Sequence, residues 1–150
     1  MTNNIHSEEE LDNSKVTDYA YDLLRHELLP ELLGEDETMI LYWAGKTLAR
    51  KKMKQLESIN TADFFMKANF GTLSLVKEKR HERIYELVSP HQIKDRPVSL
   101  ESGFIAQMVE LEKGVVSEAS YAIKKKKPLT YSITVRWDNK DRTNSRLVEE

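Results

Sequence analysis

The chain has 150 residues, of which 39% are hydrophobic and 32% charged, and its formal net charge is −2. This composition is apolar enough for a packed core and too polar for a membrane protein, and the balanced charge gives no reason to expect nucleic acid or an acidic membrane as a partner. Cysteine is absent, which excludes a disulfide scaffold, a thiolate metal site and a cysteine nucleophile.

The two ends of the sequence are poor in residues that a core could bury. The first residues lack the basic and apolar segments of a secretory signal, and no apolar run approaches the roughly 18 residues that a membrane span needs. We therefore predict a cytoplasmic protein without a transmembrane segment, in which residues 16–138 form a single domain. Residues 1–15 are predicted to be a mobile arm and residues 139–150 a mobile tail.

The first predicted helix starts near Val16, where apolar residues begin to recur every three or four positions and so share one face. Thr17 or Ser14 is the candidate cap. Pro30 is expected to break or kink the run, because proline lacks an N–H donor and clashes with the preceding turn. Gly34 is the expected end of the helix.

The second predicted helix runs from about Asp36 to Lys52, with acidic residues at its start and basic residues at its end, an order that suits the helix dipole. Its apolar residues cover so much of its circumference that we expect contacts on several sides. Gly45 lies in its interior at a cost of about 1 kcal/mol relative to alanine, which the close approach of another backbone would explain. A short third helix is predicted from Thr61 to Ala68.

After Gly71 the apolar period changes to two, which indicates strands. Residues 72–80 and 83–88 alternate and are joined by a short connection, so they predict an antiparallel hairpin. Residues 115–123 and 129–137 predict a second hairpin. The last strand has one polar face, which we expect to meet water: Thr130, Ser132, Thr134 and Arg136.

A fourth helix is predicted between the hairpins, from about Leu100 to Lys113, with Ser99 as its cap and Gly114 as its end. Gly103, in its first turns, is expected to be a packing glycine. The order of three helices, a hairpin, a helix and a second hairpin predicts an α+β fold. In this fold the helices pack on one face of a four-stranded antiparallel twisted sheet.

No pattern in the sequence assembles a catalytic or metal site. The five glycines are too far apart for a Gly-rich phosphate loop, and Ser102 before Gly103 is interpreted as helix packing rather than as a nucleophile. The histidines lack the spacing of metal ligands and are interpreted as surface residues: His6, His26, His81 and His91. We therefore predict no enzymatic activity, no cofactor and no bound metal.

A run of four lysines, Lys124 to Lys127, precedes Pro128 between the last two predicted strands. Lysine and proline at strand ends discourage the association of sheet edges, so we interpret the run as a solvated turn. Contact with a polyanion is the alternative.

Four separated motifs carry a family resemblance: Tyr42 to Lys51, Phe70 to Leu73, Leu100 to Gln107 and Thr134 to Asp138. In this order they resemble the YslB family, small proteins of Gram-positive bacteria, over about Asp18 to Asp138. That family is similar to a superfamily that includes the Bet-three-type subunits of the TRAPP vesicle-tethering complex and the vinyl-reductase-like ligand-binding domains. The resemblance implies a TRAPP-subunit-like fold, a tendency to dimerise through helices, and an apolar cavity between helices and sheet.

Within this resemblance the stretch from Gly103 to Ala106, and Glu118 on the following strand, match hallmark positions of the superfamily. The cysteines that many ligand-binding members carry are absent from this chain. The resemblance therefore implies no metal or thiol chemistry here, and the family implies no known activity.

Two functions are compatible with these observations. The first is a non-enzymatic binding or regulatory domain that holds a lipid-like or aromatic small molecule, and the second is a protein–protein adaptor with a filled core and no pocket. The candidate ligand-binding residues for the first are all apolar: Trp43, Phe64, Phe65, Phe104 and Met108. The broad apolar surface of the second helix predicts a homodimer in either case. An internal cavity of about 300 Å³ or more would favour the first function, and an exposed apolar patch above a few hundred Å² would favour the second.

Overall fold

The computed structural model describes residues 18–53, 55, 60–91, 93 and 95–143. The chain divides into two compact units, with the boundary between Glu37 and Thr38. In the described ranges no helix combines the length and the hydropathy needed to cross a bilayer. The candidate caps Ser14 and Thr17, the expected arm of residues 1–15, and residues 144–150 of the expected tail lie outside the described residues.

The described part of the first unit is helical. Residues 18–22 are α-helical, a π-helical turn covers Leu23–Leu28, helix α1 spans Leu29–Leu33, and a 3₁₀ turn covers Gly34–Asp36. The helical backbone continues past Pro30, but its hydrogen-bond pattern changes there: the π-helical turn ends at Leu28, and α1 begins at Leu29 with Pro30 in its first turn. The run is therefore not broken at Pro30, and the irregularity lies in the turn before it. Gly34 ends α1 as predicted, with φ 57° and its N–H donated to the Pro30 carbonyl oxygen.

The remaining helices are α2 (Glu37–Met53), α3 (Thr61–Lys67) and α4 (Ser99–Lys113). Ser99 is the first helical residue of α4 and not its cap, since the cap position is Val98 and no side chain bonds the helix start there. The Ser102 hydroxyl instead donates to the Val98 carbonyl oxygen over 2.8 Å. Gly114 closes α4 in the left-handed conformation, as predicted.

The sheet has four antiparallel strands in the order β1-β2-β4-β3. They are β1 (Thr72–Glu78), β2 (Glu82–Val88), β3 (Val115–Lys126) and β4 (Leu129–Arg142). Both predicted hairpins are confirmed, and the pairing of β2 with β4 joins them. Residues 139–142, expected in the tail, belong to β4, because Arg142 pairs with Val115 and the Thr143 N–H donates to the Gly114 carbonyl oxygen over 3.0 Å.

The lysine run is mostly strand. Lys124, Lys125 and Lys126 end β3, and only Lys127 lies in the turn, where a cis peptide bond joins it to Pro128. Lys124 forms an ion pair with Glu86 of β2. The interpretation of all four lysines as a turn is therefore wrong.

The core of the second unit lies between helices α2, α3 and α4 and one face of the sheet. Alternate residues of β4 point into it and are at most 7% exposed: Leu129, Tyr131, Ile133, Val135 and Trp137. The opposite face of β4 is less exposed to solvent than expected. Thr130 is buried, Ser132 and Thr134 are half-buried, and only Arg136 of these four is exposed. The reason is that β4 is an inner strand, so side chains of β2 and β3 shield it on both sides. The predicted α+β fold with a four-stranded antiparallel sheet is confirmed.

Candidate functional site

Two glycines bring helix α2 against helix α4. A Cβ atom added at Gly45 would lie 2.0 Å from the Leu100 carbonyl oxygen, and one added at Gly103 would lie 2.0 Å from the Tyr42 carbonyl oxygen. Both distances are far below van der Waals contact, so the two backbones touch at this crossing. The structure therefore confirms Gly103 as a packing glycine and explains Gly45 by the approach of another backbone.

Side chains of α2 and α4 cover part of one outer edge of the sheet, that of β3. Strand β3 ends the strand order, so only one of its long edges pairs with another described strand. On the other edge, Lys46 Nζ donates to the Ser117 carbonyl oxygen over 3.0 Å. The Ala119 N–H donates to the Tyr42 hydroxyl over 3.0 Å, and the Ser117 N–H donates to Glu110 Oε1 over 3.1 Å. These three side chains, the edge clamp (Tyr42, Lys46, Glu110), satisfy backbone groups that an open edge would offer to another chain.

Lys46 is a buried cation, only 6% exposed. Burial lowers the pKa of its ammonium group, because the charged form loses hydration, while the carboxylates of Glu110 and Glu118 oppose the shift. Burial also raises the pKa of the Tyr42 hydroxyl. An ammonium bound to a backbone carbonyl and a phenol bound to a backbone N–H act as anchors, so the edge clamp fixes the orientation of α2 on the sheet.

The anchored helix presents apolar side chains on another side. Met39 is 57% exposed, Ile40 39% and Trp43 58%, and their spacing places them on one side of α2. We call these three residues the α2 outer face. The Trp43 ring meets the Tyr42 ring edge-on at 5.9 Å, and Lys46 Nζ lies 5.4 Å from the centre of the Trp43 ring, within reach of cation–π attraction.

Of the residues predicted to line an apolar pocket, three pack on one another. The Phe64 and Phe104 rings stack with centroids 4.9 Å apart, and Phe65 meets Phe104 edge-on at 5.6 Å. Phe65 and Phe104 are fully buried. The structure leaves Trp43 on the α2 outer face, and Met108 packs partly buried against the core.

A groove of about 350 Å³ opens beside Met108. Its lining combines apolar and polar side chains: Met53, Thr61, Arg83, Tyr85, Met108, Val109 and Glu112. Arg83 Nε donates to Glu78 Oε1 over 2.8 Å, and Arg83 Nη1 donates to Glu112 Oε2. Burial opposes the charge of Arg83, but its hydrogen bonds to Glu112 and Glu78 leave its pKa raised.

Other polar groups singled out from the sequence are engaged in local contacts. His91 Nε2 lies 3.3 Å from the Asn69 carbonyl oxygen, and His81 Nδ1 lies 3.4 Å from Asn139 Nδ2. The Ser102 hydroxyl donates its hydrogen bond to the Val98 carbonyl oxygen at the start of α4. The His26 side chain is only 12% exposed, so the interpretation of His26 as a surface residue is wrong. His6 lies outside the described residues.

Sequence reasoning missed the edge clamp. The signal was present on α2, where Leu41, Gly45 and Ala49 form a buried stripe at four-residue steps. Tyr42 and Lys46, also four residues apart, lie beside that stripe and therefore near the core. A lysine in that position needs a buried partner, which the sequence pattern alone did not identify.

A family model described as a protein of unknown function, DUF2507, matches residues 18–136. The chain belongs to this family. It is 39% identical over 145 residues to the uncharacterized protein YslB of Bacillus subtilis, covering 89% of this chain and 95% of that protein, which confirms the predicted YslB resemblance. Among solved structures, a vinyl-4-reductase family protein from Methanocaldococcus jannaschii matches with a TM-score of 0.47 and 20% identity over 67% of each chain.

Proposed function

We propose that this DUF2507 protein is a non-enzymatic protein–protein adaptor that acts as a homodimer through the α2 outer face. The observation that carries the proposal is the 58% exposure of Trp43 on a helix that Gly45 and Lys46 fix to the rest of the second unit. Tryptophan is among the residues that most often dominate the binding energy of interfaces. A rigid helix that displays one loses little conformational entropy on binding.

The charges at the two ends of α2 favour a second copy of this chain as the partner. Exposed Glu35 and Asp36 directly precede the helix, and exposed Arg50 and Lys51 lie near its end. Two α2 helices that cross nearly antiparallel would bring the acidic start of each to the basic end of the other. Trp43 lies near the middle of this 17-residue helix, so a two-fold axis there would place the two tryptophans together.

The aromatic core supports the adaptor over a ligand-holding domain. Phe64, Phe65 and Phe104 contact one another with centroid distances between 4.9 and 6.4 Å. Rings in such contact gain stacking and edge-on attraction that a ligand between them would have to replace.

Sedimentation equilibrium at tens of micromolar tests the proposal. We expect the wild type to be a dimer with an interface on the order of 1,200 Å². Trp43→Glu should be a folded monomer with the wild-type circular dichroism spectrum and a lower melting temperature, because it loses the stabilisation that dimerisation gives. Met66→Glu is the matched control, because Met66 is 65% exposed on α3; this variant should remain a dimer. A monomeric wild type, or a dimeric Trp43→Glu variant, would overturn the proposal.

A charge exchange tests the antiparallel arrangement separately. Lys51→Glu should weaken the dimer, because it places a carboxylate opposite Glu35 and Asp36 of the second copy. Asp36→Lys in the same chain should restore it, since each interface then regains opposite charges. A double variant no tighter than Lys51→Glu alone would contradict the antiparallel arrangement.

The second candidate function is a domain that holds a lipid-like or aromatic molecule among Trp43, Phe64, Phe65, Phe104 and Met108. One of these five residues, Met108, lines the groove of about 350 Å³, and this is the observation that favours the second candidate. If the protein holds such a molecule, an added apolar compound should raise its melting temperature. The stability of Phe104→Ala provides a second test.

A further inference from the structure

The groove beside Met108 has the composition of a small-molecule site. Its volume of about 350 Å³ lies at the lower end of the range for ligand pockets, which are mostly apolar with a few placed polar groups. Met53, Met108 and Val109 supply apolar surface, and methionine adapts its shape to what it contacts. Arg83, Tyr85 and Glu112 supply the polar part.

The polar part contains one fixed and one movable charge. The Arg83 side chain is 14% exposed and is held by Glu78, whereas the Glu112 side chain is 56% exposed. Burial raises the pKa of the neighbouring Tyr85 hydroxyl. The exposed Glu112 can turn into water at little cost, whereas the mostly buried Arg83 would lose its packing in the groove if it turned away.

We propose that the groove binds a small monocarboxylic acid with an apolar body, and that its carboxylate takes the place of Glu112 at Arg83. A guanidinium offers five N–H donors in a plane that fits a carboxylate. The local charge also balances, because Lys113 Nζ lies 3.6 Å from Glu78. Arg83 and Lys113 then face two carboxylates, Glu78 and the ligand, once Glu112 has turned away.

The apolar body of the acid would lie on Met53, Met108 and Val109. Its burial supplies the affinity, and Arg83 selects for the carboxylate. The site uses none of the residues of the α2 outer face, so the dimer proposal and this one succeed or fail separately.

Titration of the full-length protein with octanoate, followed by the NMR signals of the methionine methyl groups, tests the proposal. We expect saturable shifts at Met53 and Met108 and none at Met39 and Met66, which are exposed elsewhere. Octanamide, which has the same body without the charge, should bind at least about tenfold more weakly. Equal shifts at all four methionines, no saturable shift, or equal binding of octanamide would overturn the proposal.

Variants at the two charged residues sharpen the test. Glu112→Gln should tighten octanoate binding about tenfold, because it removes the competing carboxylate. Arg83→Lys should weaken it about tenfold, because it keeps the charge and loses the planar pair of donors. Arg136→Lys, an exposed arginine 3.6 Å from Glu82 on another strand, is the matched control and should bind like the wild type. Unchanged affinity in both Glu112→Gln and Arg83→Lys would contradict the proposed placement of the carboxylate.

Discussion

Lys46 Nζ donates to the carbonyl oxygen of Ser117 over 3.0 Å, so a side chain of helix α2 binds a backbone group on the outer strand β3, 71 residues further along the chain. Edge strands expose unpaired backbone groups that can pair with other chains. The edge clamp satisfies these groups on β3 and at the same time fixes the helix that carries Trp43.

Replacement of Lys46 by methionine should lower the free energy of unfolding by about 1–3 kcal/mol, because the apolar stem is kept while the Ser117 carbonyl loses its charged partner. Urea unfolding measures the change. Lys67→Met, at an exposed position of α3, should change stability by no more than about 0.5 kcal/mol. Equal effects of the two substitutions would contradict an anchoring role for Lys46.

The contribution of Lys46 to stability should depend on pH. Its pKa in the folded protein lies below the ordinary 10.5, so between the two values the unfolded chain binds more protons. The free energy of unfolding of the wild type, relative to Lys46→Met, should therefore rise with pH until about 10.5. Urea unfolding from about pH 8 upwards measures it, and Tyr42, whose raised pKa acts in the opposite direction, is common to both proteins. If the difference in free energy of unfolding between the wild type and Lys46→Met fell as the pH rose, the pKa of Lys46 would be raised in the folded protein and not lowered.

The two packing glycines should not behave independently. Gly45→Ala and Gly103→Ala should each lower the free energy of unfolding by about 1–3 kcal/mol, because each Cβ meets a backbone oxygen that can move only with its helix. Once one alanine has separated α2 from α4, the second should have less effect. Thermal unfolding of both single variants and the double variant measures this, and strict additivity would argue against a shared crossing.

Phe104→Ala should cost about 3–5 kcal/mol of stability if its stacked neighbours fill the core. Phe104 is fully buried and contacts both Phe64 and Phe65. If the same region instead holds a ligand, the loss should be smaller and an added apolar compound should raise the melting temperature. A large loss with no thermal shift from any apolar compound would exclude the ligand-holding function at these residues.

Helix and strand positions were predictable because the apolar period changes at Gly71 and because two glycines, Gly34 and Gly114, mark helix ends. The position of Trp43 was not predictable in the same way, since Trp43, Phe64 and Phe104 all look like core residues at helical spacing. The close contact of Gly45 with Leu100 determines which side of α2 is buried. It places the stripe of Leu41, Gly45 and Ala49 against the rest of the second unit. Trp43 is two residues away from Gly45, which is about half a turn, so it points elsewhere.

The end of β4 shows a second limit of the sequence. From Asp138 to Arg146 the residues are polar and carry no alternation, so the end of the chain was predicted to be a tail. What extends the strand is the backbone pairing of Arg142 with Val115 at the start of β3. Where a strand is polar on both faces, its side-chain pattern specifies the pairing register only weakly, so the sequence did not predict this extension.

Chemical cross-linking of a single-cysteine variant tests the proposed dimer most directly, because the natural chain contains no cysteine. Ala44 is exposed beside Trp43, so an antiparallel pair of α2 helices with its axis near Trp43 places the two copies of position 44 about one interaxial distance, roughly 10 Å, apart. With a bismaleimide linker of that span, Ala44→Cys should yield a covalent species of twice the 17.5 kDa chain mass, whereas Met66→Cys on α3 should remain monomeric. Equal cross-linking of both variants, or none of Ala44→Cys, would contradict dimerisation through the α2 outer face.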